Sequence, residues 1–141
     1  MSAKRTLTQR PPSIALSRED YAALDRLVGD RPGTGPAGLL QDEMDRAKVF
    51  EAEDMPKGVV TLYRWLHFKD GTDAEVRRIK LVMPQEADID AGLVSILSYV
   101  GTGLIGLYEG DSIDWPAPSG EPRRLSVIMV EDLDPLELVQ A

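Results

Sequence analysis

The chain has 141 residues, of which 43% are apolar and 28% charged, and its formal net charge is −8. This composition suits one small domain with or without an appendage, and the absence of cysteine excludes disulfides, thiolate zinc sites and iron–sulfur clusters. The acidic balance argues against a generic nucleic-acid binder, which needs a basic surface. The chain has no apolar run of roughly 20 residues and no signal-peptide core in its N-terminal segment. We therefore expect a cytoplasmic protein that binds neither a membrane nor, directly, a specific nucleic-acid sequence.

The predicted elements begin after a tail, residues 1–12, that we expect to be disordered. Ser17 is a predicted helix N-cap followed by acidic residues, close to a capping box. A helical stripe follows it, and Gly29 is the predicted end of this first helix. The members of the stripe are Tyr21, Leu24, Leu27 and Val28.

A second helix is predicted to begin at Pro36, a favourable first position, to fade near Glu51 and to end by Pro56. Ala37, Leu40, Met44 and Ala47 share its apolar face. Asp42 and Arg46 stand at i,i+4 spacing, a favourable exposed pair. The two helices predict an antiparallel hairpin over residues 13–56, with its tip at residues 30–35.

The pattern then changes to that of a sheet domain over residues 57–132, followed by a tail over residues 133–141. Five strands and one short helix are predicted in a mostly antiparallel sheet, which makes the fold class α+β. The predicted strands are 59–68, 75–83, 93–97, 113–115 and 124–130, the helical turns lie within 101–108, and Asp70-Gly71 is a hairpin-turn signal.

Gly101 to Gly106 reads G-x-G-x-x-G after a predicted strand, a pattern found in dinucleotide sites. A turn at Gly110 follows too soon for the parallel crossover that such a site needs. We therefore expect these glycines to allow close packing of a short helix on the sheet, and we predict no bound cofactor.

The remaining polar candidates have simple explanations. His67 is the only histidine and is expected to face the surface, since no second histidine or cysteine accompanies it. The carboxylates of Asp42, Glu43 and Asp45, and those of Asp88 and Asp90, are expected to be solvated. We predict no catalytic residue and no metal site.

Tyr63 and Trp65 lie on the strand face opposite Leu66. Aromatic residues there indicate either a second buried layer against the helical hairpin or a protein-binding patch. We favour the buried layer, because the hairpin needs a surface on which to dock.

Two stretches carry a family resemblance. They are LLQDEMDRAKVFEAEDMPKGVV, from Leu39 to Val60, and VSILSYVGTGLIGLYEGDSIDW, from Val94 to Trp115. In order and spacing they resemble the regulator of nucleoside diphosphate kinase (Rnk) family, which is related to the Gre transcript-cleavage factors. The resemblance covers about residues 12–130.

This resemblance implies an N-terminal coiled-coil hairpin, shorter than that of Gre factors, and an FKBP-like C-terminal domain. It also implies docking at the rim of the secondary channel of RNA polymerase. The contact candidates are Asp88, Ser98, Tyr99 and Val100. The chain departs from the family at Tyr99, where proline is common, and at Thr102-Gly103.

Gre factors carry acidic residues at the hairpin tip that help to hold a catalytic Mg²⁺. Here the candidate tip residues are Asp30, Arg31 and Thr34, which include one acid and no carboxylate pair. We therefore expect a monomeric regulator, not an enzyme, that binds RNA polymerase without stimulating transcript cleavage.

An influence on nucleoside diphosphate kinase levels follows from the family name alone. Two alternatives stay open. One is a binding module for another cytoplasmic protein that uses Tyr63, Trp65 and Tyr99, and the other is a peptidyl-prolyl isomerase, which would need an aromatic-lined apolar cleft.

Overall fold

A computed structural model describes residues 12–29, 33–71 and 75–132. Its helices and strands are, in chain order, β1 (Ala15–Ser17), α1 (Arg18–Val28), α2 (Gly35–Arg46), β2 (Lys48–Phe50), β3 (Trp65–Asp70), β4 (Arg77–Val82), β5 (Leu93–Ser95), α3 (Tyr99–Leu104), β6 (Ser112–Pro116) and β7 (Pro122–Val130). The α+β class is as predicted. Outside the described residues lie 1–11 and 133–141 of the predicted tails and the tip residues Asp30 and Arg31. Pro12, the last residue of the predicted N-terminal tail, is described.

The first helix begins and ends where the sequence predicts. The Oγ atom of Ser17 accepts the backbone N–H of Asp20 at 3.1 Å, which satisfies one of the free donors of the first helical turn. The N–H of Gly29 donates to the carbonyl of Asp25 and closes the last turn. Leu24 and Val28 are buried, so the predicted stripe faces the core.

The second helix is shorter than predicted. It ends at Arg46, and Ala47 already has an extended backbone. The next residues form β2, which pairs in parallel with β1, and the N–H of Lys48 donates to the carbonyl of Ile14 at 3.0 Å. The predicted extension of α2 to Glu51 was therefore wrong. The segment that leads into α1 is buried, and its backbone groups need hydrogen-bond partners, which the residues after Ala47 supply as strand β2.

Glu43 is also a correction, since we expected it to be solvated. Its side chain faces inward, with 5% of the residue exposed. Arg46 donates to both carboxylate oxygens of Glu43, at 2.6 and 2.9 Å, and also to the carbonyl of Pro12. Arg46 therefore pairs with Glu43 and not with Asp42, because only the Glu43 carboxylate is buried and requires a charged partner.

The five-stranded sheet has the order β5-β4-β3-β7-β6. Strands β3, β4, β6 and β7 pair antiparallel, as predicted for most of the sheet, whereas β5 pairs in parallel with β4. The second, fourth and fifth predicted strands match β4, β6 and β7 to within about two residues.

Three further elements differ from the prediction in their boundaries. The first strand begins at Trp65 and not at Val59, because Tyr63 has a positive φ of 64° and the chain turns there. The third strand ends at Ser95. The short helix spans Tyr99–Leu104 and stops before Gly106, whose φ of 82° is incompatible with a right-handed helix.

One buried cluster joins the helical hairpin, the short helix and the inner face of the sheet. It includes Leu24 of α1, Leu40 of α2, Leu104 of α3 and Phe68 of β3, each almost fully buried. Each such side chain contributes about 1.5–3 kcal/mol by its removal from water. The hairpin and the sheet therefore share one core, while supercoiling of the hairpin and the FKBP-like topology stay predictions.

Candidate partner-docking site

The short helix α3 is held by a side-chain cap. The Oγ atom of Ser98 accepts the N–H of Gly101 at 2.9 Å and donates to the carbonyl of Ser95 at 2.7 Å. Both functions of this hydroxyl are used inside the protein. Ser98, a predicted contact residue, therefore positions α3 and the two residues that follow it, Tyr99 and Val100.

The glycines of the G-x-G-x-x-G pattern let α3 approach the sheet. A Cβ atom at Gly101 would lie 2.5 Å from the carbonyl oxygen of Ser95, and one at Gly103 would lie 2.8 Å from Trp115 Cδ1. Residues 101–107 are all buried. The prediction that these glycines serve helix packing is confirmed.

A buried hydrogen bond fixes Trp115 beneath α3. Its indole Nε1–H donates to Thr102 Oγ1 at 3.3 Å, and the Thr102 hydroxyl donates to the carbonyls of Ser98 and Tyr99. Thr102 is fully buried and Trp115 is 8% exposed. The large indole is therefore rigid, with its polar atom satisfied inside the protein.

A cleft of about 330 Å³ opens between the first turn of α3 and the ends of β6 and β7. Its walls are mostly apolar: Tyr99, Val100, Trp115, Pro116, Ala117, Pro118 and Leu125. Small-molecule and side-chain pockets in proteins are typically concave, mostly apolar and preformed. We name this region the α3 cleft.

An ion pair stands beside the α3 cleft. Arg123 Nε lies 2.7 Å from Asp70 Oδ1, and Arg123 Nη2 donates to the Asp70 carbonyl at 3.0 Å. The Arg123 side chain is about half exposed. The apolar cleft thus has a cationic group at its rim that is accessible to a partner.

The structure brings only some of the predicted contact residues together. Tyr99 and Val100 line the α3 cleft, whereas Asp88 is exposed and forms an isolated bridge with Leu93, where β5 begins. Strand β5 is at the opposite sheet edge from β6. Asp88 therefore lies on another part of the surface. Of the tip residues, Thr34 is exposed and serves as N-cap of α2 without a side-chain bond.

The expected aromatic layer against the hairpin is wrong. Tyr63 is 43% exposed, and its hydroxyl donates to Glu86 Oε1. Desolvation, followed in strength by this hydrogen bond, raises the pKa of Tyr63 to about 12. Trp65 is half-buried beneath Arg78, whose guanidinium carbon is 4.0 Å from the ring centroid. The hairpin instead contacts α3 and the β1–β2 pair. Trp65 lies on the outer face of the sheet, opposite the buried Leu66 and Phe68 of β3.

His67 lies on the same outer face, as the alternation of the strand predicts. Its Nε2 atom is 2.8 Å from Glu131 Oε2, and Arg78 donates to both Glu131 oxygens, at 2.6 and 2.9 Å. The bonds from Arg78 and, less strongly, from His67 lower the pKa of Glu131 to about 2. This group ties the end of β7 to β3 and β4.

Sequence reasoning missed the wall of the α3 cleft formed by Trp115, Pro116, Pro118 and Arg123. The sequence predicted a strand at 113–115, and the structure buries both Ile113 and Trp115. That Trp115 also lines a cleft depends on the docking of α3, which no local pattern encodes. The available signal was the pair of prolines at the end of β6, Pro116 and Pro118, since proline is disfavoured inside a sheet and ends strand pairing.

No group of three or more metal-ligating side chains occurs within residues 12–29, 33–71 and 75–132. Across the same residues, no helix has the length and apolar character required to cross a membrane.

The family model for the C-terminal part of GreA/GreB transcription elongation factors matches residues 55–132, more than half of the chain. The chain belongs to this family. It is therefore a Gre-type transcription regulator.

Particular relatives narrow this class. The regulator of nucleoside diphosphate kinase of Escherichia coli K12 is 35% identical over 123 residues, which are 85% of this chain and 90% of that protein. GreA of Xanthomonas axonopodis pv. citri is 32% identical over 96 residues, which are 67% of this chain and 60% of that protein.

A solved GreA/GreB factor from Nitrosomonas europaea superposes with a TM-score of 0.67 at 34% identity, over 86% of this chain and 99% of that one. The chain is thus a Gre-type regulator similar to the regulator of nucleoside diphosphate kinase along most of its length.

Proposed function

We propose that this chain binds RNA polymerase through the α3 cleft and regulates transcription without stimulating transcript cleavage. The observation that carries the proposal is the preformed apolar cleft at Tyr99 and Val100, the positions to which the family resemblance assigns polymerase contact. Membership of the GreA/GreB family supports the choice of partner.

The α3 cleft fits a protein partner because it combines an apolar pocket with a rigid aromatic wall. Trp115 is locked by Thr102, so a partner's apolar side chain would enter without ordering the wall first. Such preorganisation improves affinity because less conformational entropy is lost on binding. Arg123 at the rim suits an acidic residue beside that side chain and would fix the orientation of the partner.

The lack of cleavage activity is proposed from the hairpin. Its helices have 11 and 12 residues, so each extends only roughly 17 Å at 1.5 Å per residue. Residues 30–35 include one carboxylate, Asp30, whereas a recruited Mg²⁺ prefers several oxygen ligands. A short hairpin with a single tip acid would occupy the channel entrance without supplying a metal site.

The proposal makes this chain a competitor of cleavage-active Gre factors. Any effect on nucleoside diphosphate kinase would then arise through transcription and not through contact with the kinase. We also propose that the chain acts as a monomer with no bound cofactor.

The test is a transcript-cleavage assay on backtracked bacterial elongation complexes with a cleavage-active GreA. The chain alone should yield no cleavage above the polymerase background, and increasing amounts should inhibit the cleavage stimulated by GreA. Robust cleavage by the chain alone would overturn the proposed inactivity. Failure to inhibit GreA at saturating concentration would contradict a shared docking site.

One observation favours a second candidate, peptidyl-prolyl isomerase activity. The α3 cleft has two aromatic walls, Tyr99 and Trp115, which is the feature that such a site needs. A shared cleft does not itself carry the activity. Turnover of a short proline peptide that is lost in Tyr99→Ala would favour this candidate over polymerase binding.

A further inference from the structure

A β-bulge in strand β7 turns two consecutive apolar side chains towards solvent. His67 of β3 pairs with Met129, whereas the next residue, Phe68, pairs with Val127, so Ile128 is the extra residue. Ile128 is 45% and Met129 is 42% exposed. Because the inner face of the sheet is the core, both side chains lie on the outer face. Bulges commonly re-aim side chains in this way.

Charged side chains surround Ile128 and Met129 on this face. Residues paired directly across antiparallel strands point to the same face, so Arg78 and His67 lie beside Met129. We name the whole surface the outer sheet face. Its ionic members are Lys69, Arg78, Lys80, Arg124, Asp114 and Glu131.

The outer sheet face is positive although the chain is acidic. It has four cationic side chains and two carboxylates, a balance of +2, whereas the formal net charge of the chain is −8. Both carboxylates are paired within the face, Glu131 with Arg78 at 2.6 Å and Asp114 with Arg124 at 2.9 Å. An apolar centre with a polar rim is typical of protein interfaces, and a positive rim is complementary to an acidic partner.

The position of the outer sheet face in the sheet limits how a partner can bind. Strands β3 and β7 each have a neighbour on both sides. A partner therefore cannot extend the sheet here by adding a strand and must contact side chains. A helix does so by laying one apolar stripe on the face of a sheet.

We propose that the outer sheet face docks an acidic amphipathic helix of a partner protein. The apolar stripe of that helix covers Ile128 and Met129, and carboxylates on both sides of the stripe meet Lys69 and Lys80. The α3 cleft is built on the other side of the sheet, where α3 packs on the core. This inference therefore does not depend on polymerase binding.

Two other occupants are less complementary to this surface. In a symmetric contact with a second copy, the positive face would meet itself. A single-stranded nucleic acid needs free aromatic faces on which its bases stack, and the ring of Trp65 is already covered by Arg78, whose guanidinium carbon is 4.0 Å from the ring centroid.

Methyl NMR of the full chain tests the proposal with two synthetic peptides of about 18 residues, long enough to form a helix. Both have a leucine stripe at helical spacing, which is flanked by glutamates in one peptide and by lysines in the other. The glutamate peptide should shift the methyl signals of Ile128 and Met129 saturably and leave Val49 on β2 unchanged. Its affinity should exceed that of the lysine peptide by roughly tenfold or more, because the charges of the face favour it.

Variants locate the contact. Met129→Gln should weaken binding of the glutamate peptide by roughly tenfold, whereas Val49→Gln, at a residue that is also about 40% exposed, should not. Lys69→Gln should weaken it as well, and Lys57→Gln, at an exposed lysine outside the sheet, is the charge-matched control. Thermal unfolding confirms that each variant folds.

Several results would overturn the inference. They include no saturable shift with the glutamate peptide, equal affinities for the two peptides, and equal effects of Met129→Gln and Val49→Gln. Tighter binding of a single-stranded RNA oligonucleotide at the same methyl groups would assign the face to a nucleic acid. Shifts of Met129 that grow with protein concentration in the absence of peptide would assign it to a second copy.

Discussion

The Oδ2 atom of Asp20 accepts the backbone N–H of Leu62 at 3.1 Å, and this bond joins the first turn of α1 to the segment that enters the sheet. The two residues are 42 positions apart in the sequence. Formation of this bond requires that the Asp20 carboxylate be removed from water. This burial raises the pKa of Asp20 above its ordinary value, and the hydrogen bond from Leu62 only partly offsets the rise. The junction is therefore held by an acceptor that would function better without its charge.

This predicts that Asp20→Asn stabilises the protein at pH 7. Asparagine keeps an acceptor oxygen for Leu62 but carries no charge to bury. Because the folded pKa of Asp20 is raised, the wild type gains stability as the pH falls through that folded value towards the unfolded value of 3.8. The advantage of Asp20→Asn, measured as the free energy of unfolding in urea, should therefore shrink on acidification and vanish below about pH 4.

Asp20→Ala is the matched comparison. It removes both the charge and the acceptor, leaves the N–H of Leu62 unsatisfied, and should destabilise by about 1–3 kcal/mol relative to Asp20→Asn. If alanine and asparagine give the same stability, the bond to Leu62 does not hold this junction.

A second prediction concerns the packing of α3. Gly103→Ala places a methyl group 2.7 Å from Leu125 Cδ1 and 2.8 Å from Trp115 Cδ1, so α3 or the Trp115 ring must move. We expect a loss of about 1–3 kcal/mol, typical of overpacking, in chemical unfolding followed by tryptophan fluorescence. Gly33→Ala is the control, since nothing lies within 4 Å of the added atom, and similar losses for both variants would show that the effect is not packing.

A third prediction concerns acid stability. The pKa of Glu131 is lowered from an ordinary 4.5 to about 2, chiefly by Arg78. A lowered carboxyl pKa contributes stability that is fully present above pH 4.5 and is lost as the pH falls through about 2. Glu131→Gln should remove that contribution, so the stabilities of variant and wild type should converge between about pH 4.5 and 2, and parallel curves over that range would contradict the assignment.

Local signals in the sequence predicted much of the fold. Ser17 and Gly29 marked the ends of α1 because capping is a property of a few adjacent residues. The alternation of charged and apolar residues from Arg78 to Leu81 predicted strand β4, because this alternation is also a property of adjacent residues. The G-x-G-x-x-G pattern was correctly interpreted as a packing device, since the spacing to Gly110 already excluded a crossover.

The misses depend on contacts between distant residues. Lys48 to Phe50 continue a helical pattern, but the chain entering α1 recruits them as β2 through the bond from Lys48 to Ile14. Tyr63 and Trp65 were expected to pack against the hairpin, but in the structure the hairpin packs against α3. Tyr99 and Val100, which the family resemblance nominated as contact residues, line the α3 cleft. The cleft itself was not predicted, because its opposite wall comes from β6 and β7 and required the tertiary fold.

The most direct test of the central claim is equilibrium binding of the purified chain to bacterial core RNA polymerase. The wild type is compared with two variants. One is Tyr99→Ala in the α3 cleft, and the other is Val49→Ala, an apolar truncation on the exposed strand β2 that serves as the control. Thermal unfolding first confirms that both variants fold. The account predicts saturable binding by the wild type, unchanged affinity for Val49→Ala, and a loss of roughly tenfold or more for Tyr99→Ala, as for an interface hot spot. No saturable binding by the wild type, or equal affinities for the two variants, would contradict it.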